Sequence, residues 1–200
     1  MLIARSRIFT LVAVFLVLLS VAASSEAASD PLEALTDQII PQEGTETFYG
    51  TSLSLSALPQ FVDWWYTLVP RVQSDPRYAE ALLGLVAPCC DDNTAYRCCC
   101  ESEEGQACNI IRSGKGLAAH LLLDLDATAD QVRLSVLQWF RFARPDYYLA
   151  AELLAQGIDP LVYGLTVEGS CYRGLCNTPI SQGGCGGMGP LIEPTLGFGV

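Results

Sequence analysis

The sequence predicts a mostly α protein: a small helical domain built around a cysteine-rich loop, with an irregular Gly- and Cys-rich C-terminal tail. Three observations carry this. Apolar residues recur at helical spacing between residues 58 and 157. Asp-Pro, Ser-Asp-Pro and Thr-x-x-Gln helix-start signals punctuate the chain. Nine cysteines, all beyond residue 88, fall into two groups where that spacing is lost.

The elements follow in order. Residues 1–27 have the layout of a secretory signal peptide. Arg5 and Arg7 form the positive start, Ile8 to Ala22 is an apolar run broken only by Thr10 and Ser20, and small residues follow. Cleavage after Ala23 or Ala27 fits. The apolar core is short for a membrane span of ~20 residues, so the chain meets a membrane only if this segment is retained. Residues 28–57 read as a loosely structured N-terminal segment. In it Asp30-Pro31 caps a short helix through Gln38, and Phe48 to Leu55 is expected as a short edge strand.

The helical cysteine-rich domain spans 58–157. Leu58, Phe61, Val62, Trp65 and Leu68 form the stripe of a first helix that Pro70 ends. Ser74-Asp75-Pro76 starts a second, with Tyr78, Leu82, Leu85 and Val86 inward. A third helix is expected from Gly116 to Asp126. Thr128 with Gln131 is a capping box for a fourth, which turns Val132, Val136, Trp139, Phe140 and Ala143 to one side. Pro145 opens a fifth, which Gly157 stops. Trp64, Trp65 and Trp139 are expected in the core. The remainder, 158–200, reads as a Gly/Pro/Cys-rich segment with one expected strand from Val162 to Val167.

Charge narrows the function classes. Acidic residues outnumber basic ones 22 to 11, net −11. Removing 1–27 takes away Arg5, Arg7 and Glu26 and leaves 9 basic and 21 acidic residues, net −12. Nucleic acid is therefore excluded as a partner, because phosphate binding needs a basic face. Export places every cysteine in an extracytoplasmic compartment, periplasmic or secreted, where disulfides persist.

The cysteines carry the chemistry. Cys89-Cys90, Cys98-Cys99-Cys100 and Cys108 form the first group, with seven residues in each gap; Cys171, Cys176 and Cys185 form the second. No C-x-x-C occurs, which removes the thioredoxin motif, c-type haem attachment and the usual zinc-ribbon spacing. Nine is odd, so at least one thiol lacks an intramolecular disulfide partner. Adjacent cysteines seldom bridge each other, since the geometry strains the peptide between them. A triple of thiols is also a dense soft-donor site, and Cys185-Gly-Gly-Met188 adds a thioether suited to Cu(I). The candidate metal ligands are Cys89, Cys90, Cys98, Cys99, Cys100, Cys108, Cys185 and Met188. The alternative for the glycines around Cys185 is a turn that lets the chain pass close to a helix.

Other constellations are weaker. His120, the single histidine, stands four residues before Asp124 on one helix face and reads as a partly exposed helix residue. No G-x-S-x-G elbow accompanies it, so Ser-His-Asp catalysis is not indicated. Ser113-Gly-Lys115-Gly116 has some residues of a phosphate loop, but the first glycine and the terminal Ser/Thr are misplaced. Glu101, Glu103 and Glu104 beside the triple cysteine read first as a solvated loop face; the alternative is that they raise thiol pKa values and disfavour a reactive thiolate.

The run Leu58-Pro59-Gln60-Phe61-Val62, then Pro88-Cys89, then Cys98, Cys99, Cys100 and Cys108, resembles the bacterial exported family named for its Pro-Cys-Tyr-Cys-Gly-Cys motif. The chain departs from it where Cys90 follows Cys89 directly and where Asp-Asp-Asn-Thr-Ala-Tyr-Arg splits the cluster. The family's histidine and later cysteine pair have no direct counterpart, although Cys171 and Cys176 could replace the pair. The resemblance implies an exported helical thiol or metal-binding domain. Leu117-Ala118-Ala119 through Tyr147-Tyr148-Leu149 is similar to the helical hairpin of the thiol-reductase subunit of cytochrome c maturation, a family that needs the C-x-x-C absent here.

Three functions follow in order of expectation. The first is an exported metal-binding protein, a Cu(I) or Zn carrier or buffer, with a metal ion and another exported protein as partners. The second is a disulfide-stapled structural or interaction module whose odd thiol could link two copies into a homodimer. The third is a thiol-disulfide oxidoreductase. An enzymatic role is not favoured, and the sequence points to no catalytic residue or organic cofactor.

Overall fold

The computed structural model describes residues 30–85, 88, 107–171 and 173–192. The signal-like segment, Cys89, Cys90, Cys98, Cys99 and Cys100 lie outside the described residues. Within them the fold is all-α, with seven α-helices and no β-strand. No helix among them is long and apolar enough to cross a membrane.

The helices run α1 (Pro31–Ile39), α2 (Leu58–Thr67), α3 (Val69–Val72), α4 (Pro76–Leu82), α5 (Asn109–Asp124), α6 (Ala129–Ala143) and α7 (Pro145–Ala155). Their starts follow local chemistry. Asp30 and Asp75 each accept the amide two residues on, Leu32 at 3.0 Å and Arg77 at 2.9 Å. Thr128 and Gln131 close a reciprocal capping box, with Gln131 N to Thr128 Oγ1 at 3.3 Å and Thr128 N to Gln131 Oε1 at 2.9 Å. Pro70 does not end a helix as expected. The first helix stops at Thr67, and Pro70 sits in the first turn of α3, where its missing amide leaves no bond unmade.

Two expected strands are absent. Phe48 to Leu55 forms turns with a single bridge between Glu46 and Ser52. Val162 to Val167 overlaps a 3-10 turn, Pro160–Tyr163, because Asp159 accepts the Leu161 amide at 2.9 Å and Pro160 presets the first turn.

Helix α5 lies at the centre and packs against α2, α3, α4 and α6. From Asn109 to Leu122 it is buried on nearly every side, leaving only Lys115 and His120 partly exposed. Such burial demands close approach. A Cβ on Gly116 would lie 2.0 Å from the Phe61 carbonyl oxygen and 2.8 Å from the Trp65 amide; one on Gly114 would strike the Phe140 ring. The two glycines thus belong to helix packing, not to a phosphate loop. Trp139 is fully buried and donates Nε1–H to Ser113 Oγ at 2.7 Å. Trp64 and Trp65 are only half-buried at the edge of the core, which corrects their expected place. A smaller cluster, Leu35 with Leu149 and Leu153, fastens α1 to α7.

Candidate functional site

Helix α5 begins seven residues before its expected start at Gly116 and ends at Asp124, not Asp126. Its first residues carry no side-chain cap, since Cys108 at the cap position makes no capping bond. The amides left over at that end are met from the far end of the chain. Asn109 N–H donates to the Gly187 carbonyl at 2.9 Å, and Ile110 N–H to that of Cys185 at 3.2 Å. The side chains of the same turn take the carbonyls between and beyond. Asn109 Nδ2 donates to Gly186 O at 2.7 Å and Gly189 O at 3.2 Å. Arg112 donates from Nη2 to Met188 O at 2.8 Å and from Nη1 to Gly189 O at 2.7 Å and Asn109 Oδ1 at 3.1 Å. Every carbonyl from Cys185 to Gly189 therefore bonds to the first turn of one helix. Arg112 also lies 5.4 Å over the Tyr66 ring.

The glycines around Cys185 make this docking possible. Gly186 and Gly187 have φ of +70° and +86°. A Cβ on Gly184 would meet the Thr178 carbonyl oxygen at 2.0 Å. The glycine-rich stretch is thus a turn that passes close to a helix.

A second buried cation ties down the other side of the tail. Arg144, 1% exposed at the α6–α7 junction, grips Asp146 through Nε at 3.0 Å and Nη2 at 2.8 Å. Its Nη1 donates to Ser170 Oγ and to the carbonyls of Gly184 at 3.3 Å and Pro88 at 3.4 Å. Ser170 Oγ in turn donates to Gly183 O at 3.0 Å. Arg144 thereby links the tail to the residue just before Cys89.

The sulfurs lie inside this frame. Cys171 and Cys176 form a disulfide with a Cα–Cα separation of 4.5 Å, and Cys171 Sγ is 3.5 Å from Cys185 Sγ. Cys185 and Cys108 are fully buried in the main core. Met188 is half-buried with its side chain against the same core, and its carbonyl accepts from Arg112. Of the expected ligands, Cys108, Cys185 and Met188 belong to one core cluster; the other five lie outside the described residues. Among the described residues no three His, Cys, Asp or Glu side chains are placed to hold a metal. His120 stands apart, stacked on Trp64 at 3.9 Å with Nδ1 2.7 Å from Asp124 Oδ2.

Sequence reasoning missed Asn109, Arg112, Arg144 and Ser170. Nothing in the local sequence reveals that Asn109, Arg112 and Arg144 find their partners in the tail, or that Ser170 is buried against Arg144. No known protein family, curated protein or solved structure matches the chain.

Proposed function

We propose that the chain is an exported interaction module held together by disulfides, without a resident metal. One observation carries this reading: the tail begins with a Cys171–Cys176 disulfide, and its residues from Cys185 to Gly189 serve as the cap of the central helix. A carrier must release its cargo, whereas here Cys185 is sealed at the centre of the packing and its neighbour Cys171 is already bridged. The bridge closes a short loop, and its stabilisation is roughly 2 kcal/mol on the loop-entropy relation. An oxidising compartment preserves such a bridge, in keeping with the signal-like start. Net charge of −11 keeps the module off anionic lipid and nucleic acid and leaves proteins as its partners.

The test is native mass spectrometry of protein exported to an oxidising compartment and purified without chelator, before and after alkylation. A metal-free mass with Cys171 and Cys176 protected from alkylation is expected. A stoichiometric Cu or Zn adduct with alkylatable Cys171 and Cys176 would overturn the reading in favour of the carrier.

A further inference from the structure

We propose that Arg144 is the positioning residue that selects the Cys171–Cys176 bridge over pairings with Cys185 as the tail oxidises. The proposal deepens the disulfide-module reading and rests on it.

The acceptors of Arg144 Nη1 share one property: each immediately precedes a cysteine. Pro88 stands before Cys89, Ser170 before Cys171 and Gly184 before Cys185. Nε and Nη2 meanwhile hold the Asp146 carboxylate at 3.0 and 2.8 Å. The fork is thereby fixed to the α6–α7 junction. Two further bonds carry its placement to Cys176. Leu175 N–H donates to Ser170 O at 2.8 Å, and Cys185 N–H donates to Leu175 O at 3.3 Å. The chain ahead of all three tail cysteines is held in one frame, with Arg144 as its side-chain anchor.

Nearness alone does not settle the pairing. Cys171 is bonded to Cys176, yet its Sγ is also 3.5 Å from Cys185 Sγ. Bridging Cys171 to Cys176, Cys176 to Cys185 or Cys171 to Cys185 spans 5, 9 or 14 residues. Closure probability falls as the three-halves power of that length, which favours the first bridge by only about twofold over the second and about fivefold over the third. Chain statistics alone therefore give Cys171–Cys176 about six-tenths of the pairings among these three cysteines. A buried arginine that fixes the backbone beside Cys171 and Cys185 raises that share, because a disulfide forms only within a narrow range of Cα separation and Cβ direction.

Each bridge forms by two exchanges. One cysteine thiolate attacks a disulfide oxidant and expels one of its thiolates; a second cysteine thiolate attacks the protein sulfur of the mixed disulfide and expels the other. Two protein thiols lose two electrons and two protons, and the oxidant's disulfide takes them up as two thiols. Arg144 takes no part in the transfer; it sets which second sulfur is in reach.

The experiment refolds the reduced full chain in reduced and oxidised glutathione, quenches by alkylation and maps the links by trypsin and mass spectrometry with fragmentation. The parent is expected to give Cys171–Cys176 almost alone among the tail pairings. Arg144→Met is expected to bring its share down toward about six-tenths. Ser170→Ala, which keeps the Arg144–Asp146 ion pair, is expected to raise Cys176–Cys185 pairing, and it decides alone if Arg144→Met does not fold. Thr128→Ala, a destabilised control that opens the capping box of α6, is expected to pair as the parent does. Parent-like pairing in Arg144→Met and Ser170→Ala, or equal mispairing in Thr128→Ala, would overturn the proposal. A parent without the Cys171–Cys176 bridge overturns the module reading as well, whereas a bridged parent with unaltered variants overturns the role of Arg144 alone.

Discussion

Arg112→Met removes the clamp on the tail while keeping a side chain of similar reach. Three hydrogen bonds go, to Met188 O, Gly189 O and Asn109 Oδ1. Gly189 O keeps Asn109 Nδ2, so two acceptors are orphaned, Met188 O and Asn109 Oδ1. At roughly 1–3 kcal/mol for each buried unsatisfied group, and with a buried guanidinium no longer to desolvate, the net loss is about 2–4 kcal/mol. For a chain of this size a loss of 1 kcal/mol moves the melting temperature by roughly 2–4 °C, so a fall of about 4–16 °C is expected in oxidised protein. Because the tail carbonyls also accept the Asn109 and Ile110 amides, those two amides should exchange hydrogen faster. Arg112→Lys keeps the charge without the fork and should fall between. A loss below about 0.5 kcal/mol, with the Ile110 amide still protected, would refute the claim that the tail is held as the cap of α5; that magnitude is typical of an unengaged surface residue.

Other outcomes follow from the same geometry. Gly116→Ala would ordinarily stabilise a helix by about 1 kcal/mol, but its Cβ meets the Phe61 carbonyl and Trp65 amide; calorimetry should show a fall in melting temperature instead. Thr128→Ala opens the capping box of α6 and should cost about 1 kcal/mol in urea unfolding. Hydrogen bonds from the Arg77 side chain and amide hold the Asp75 carboxyl below its ordinary 3.8. Its share of stability is therefore present above that value and is lost as pH falls through the lower native one. Asp75→Asn should make the acid limb of a stability–pH curve shallower below about pH 4. Cys171→Ser with Cys176→Ser should cost roughly 2 kcal/mol, and reducing agent should then have less effect on the variant than on the parent.

The parts legible in the sequence are those whose causes are local. Asp30-Pro31, Asp75-Pro76 and Thr128 with Gln131 each place cap and partner within three residues, and each marks a real helix start. The true start of α5 was not legible, because Cys108 offers no cap and the groups that replace it come from Cys185 and Gly187. Gly114 and Gly116 compounded this by lowering apparent helix propensity exactly where close packing requires them. The half-buried place of Trp64 and Trp65 escaped periodicity because α2 presents Leu58, Phe61 and Val62 to the core, leaving the next aromatics to cover its edge. Of the candidate site, the glycine turn around Cys185 was readable from composition. Its docking partners Asn109 and Arg112 were not, being more than 70 residues away.

The most direct measurement of the central claim is disulfide mapping of the exported protein by trypsin and mass spectrometry. Cleavage after Arg173 separates Cys171 from Cys176, and residues 174–200 contain no further Lys or Arg. The account predicts that the peptide ending at Arg173 stays joined to the one beginning at Gly174 until reductant is added, with fragmentation placing the link on Cys176 and not on Cys185, which the second peptide also carries. Recovery of the two peptides unlinked without reductant, from protein carrying bound copper or zinc, would contradict it.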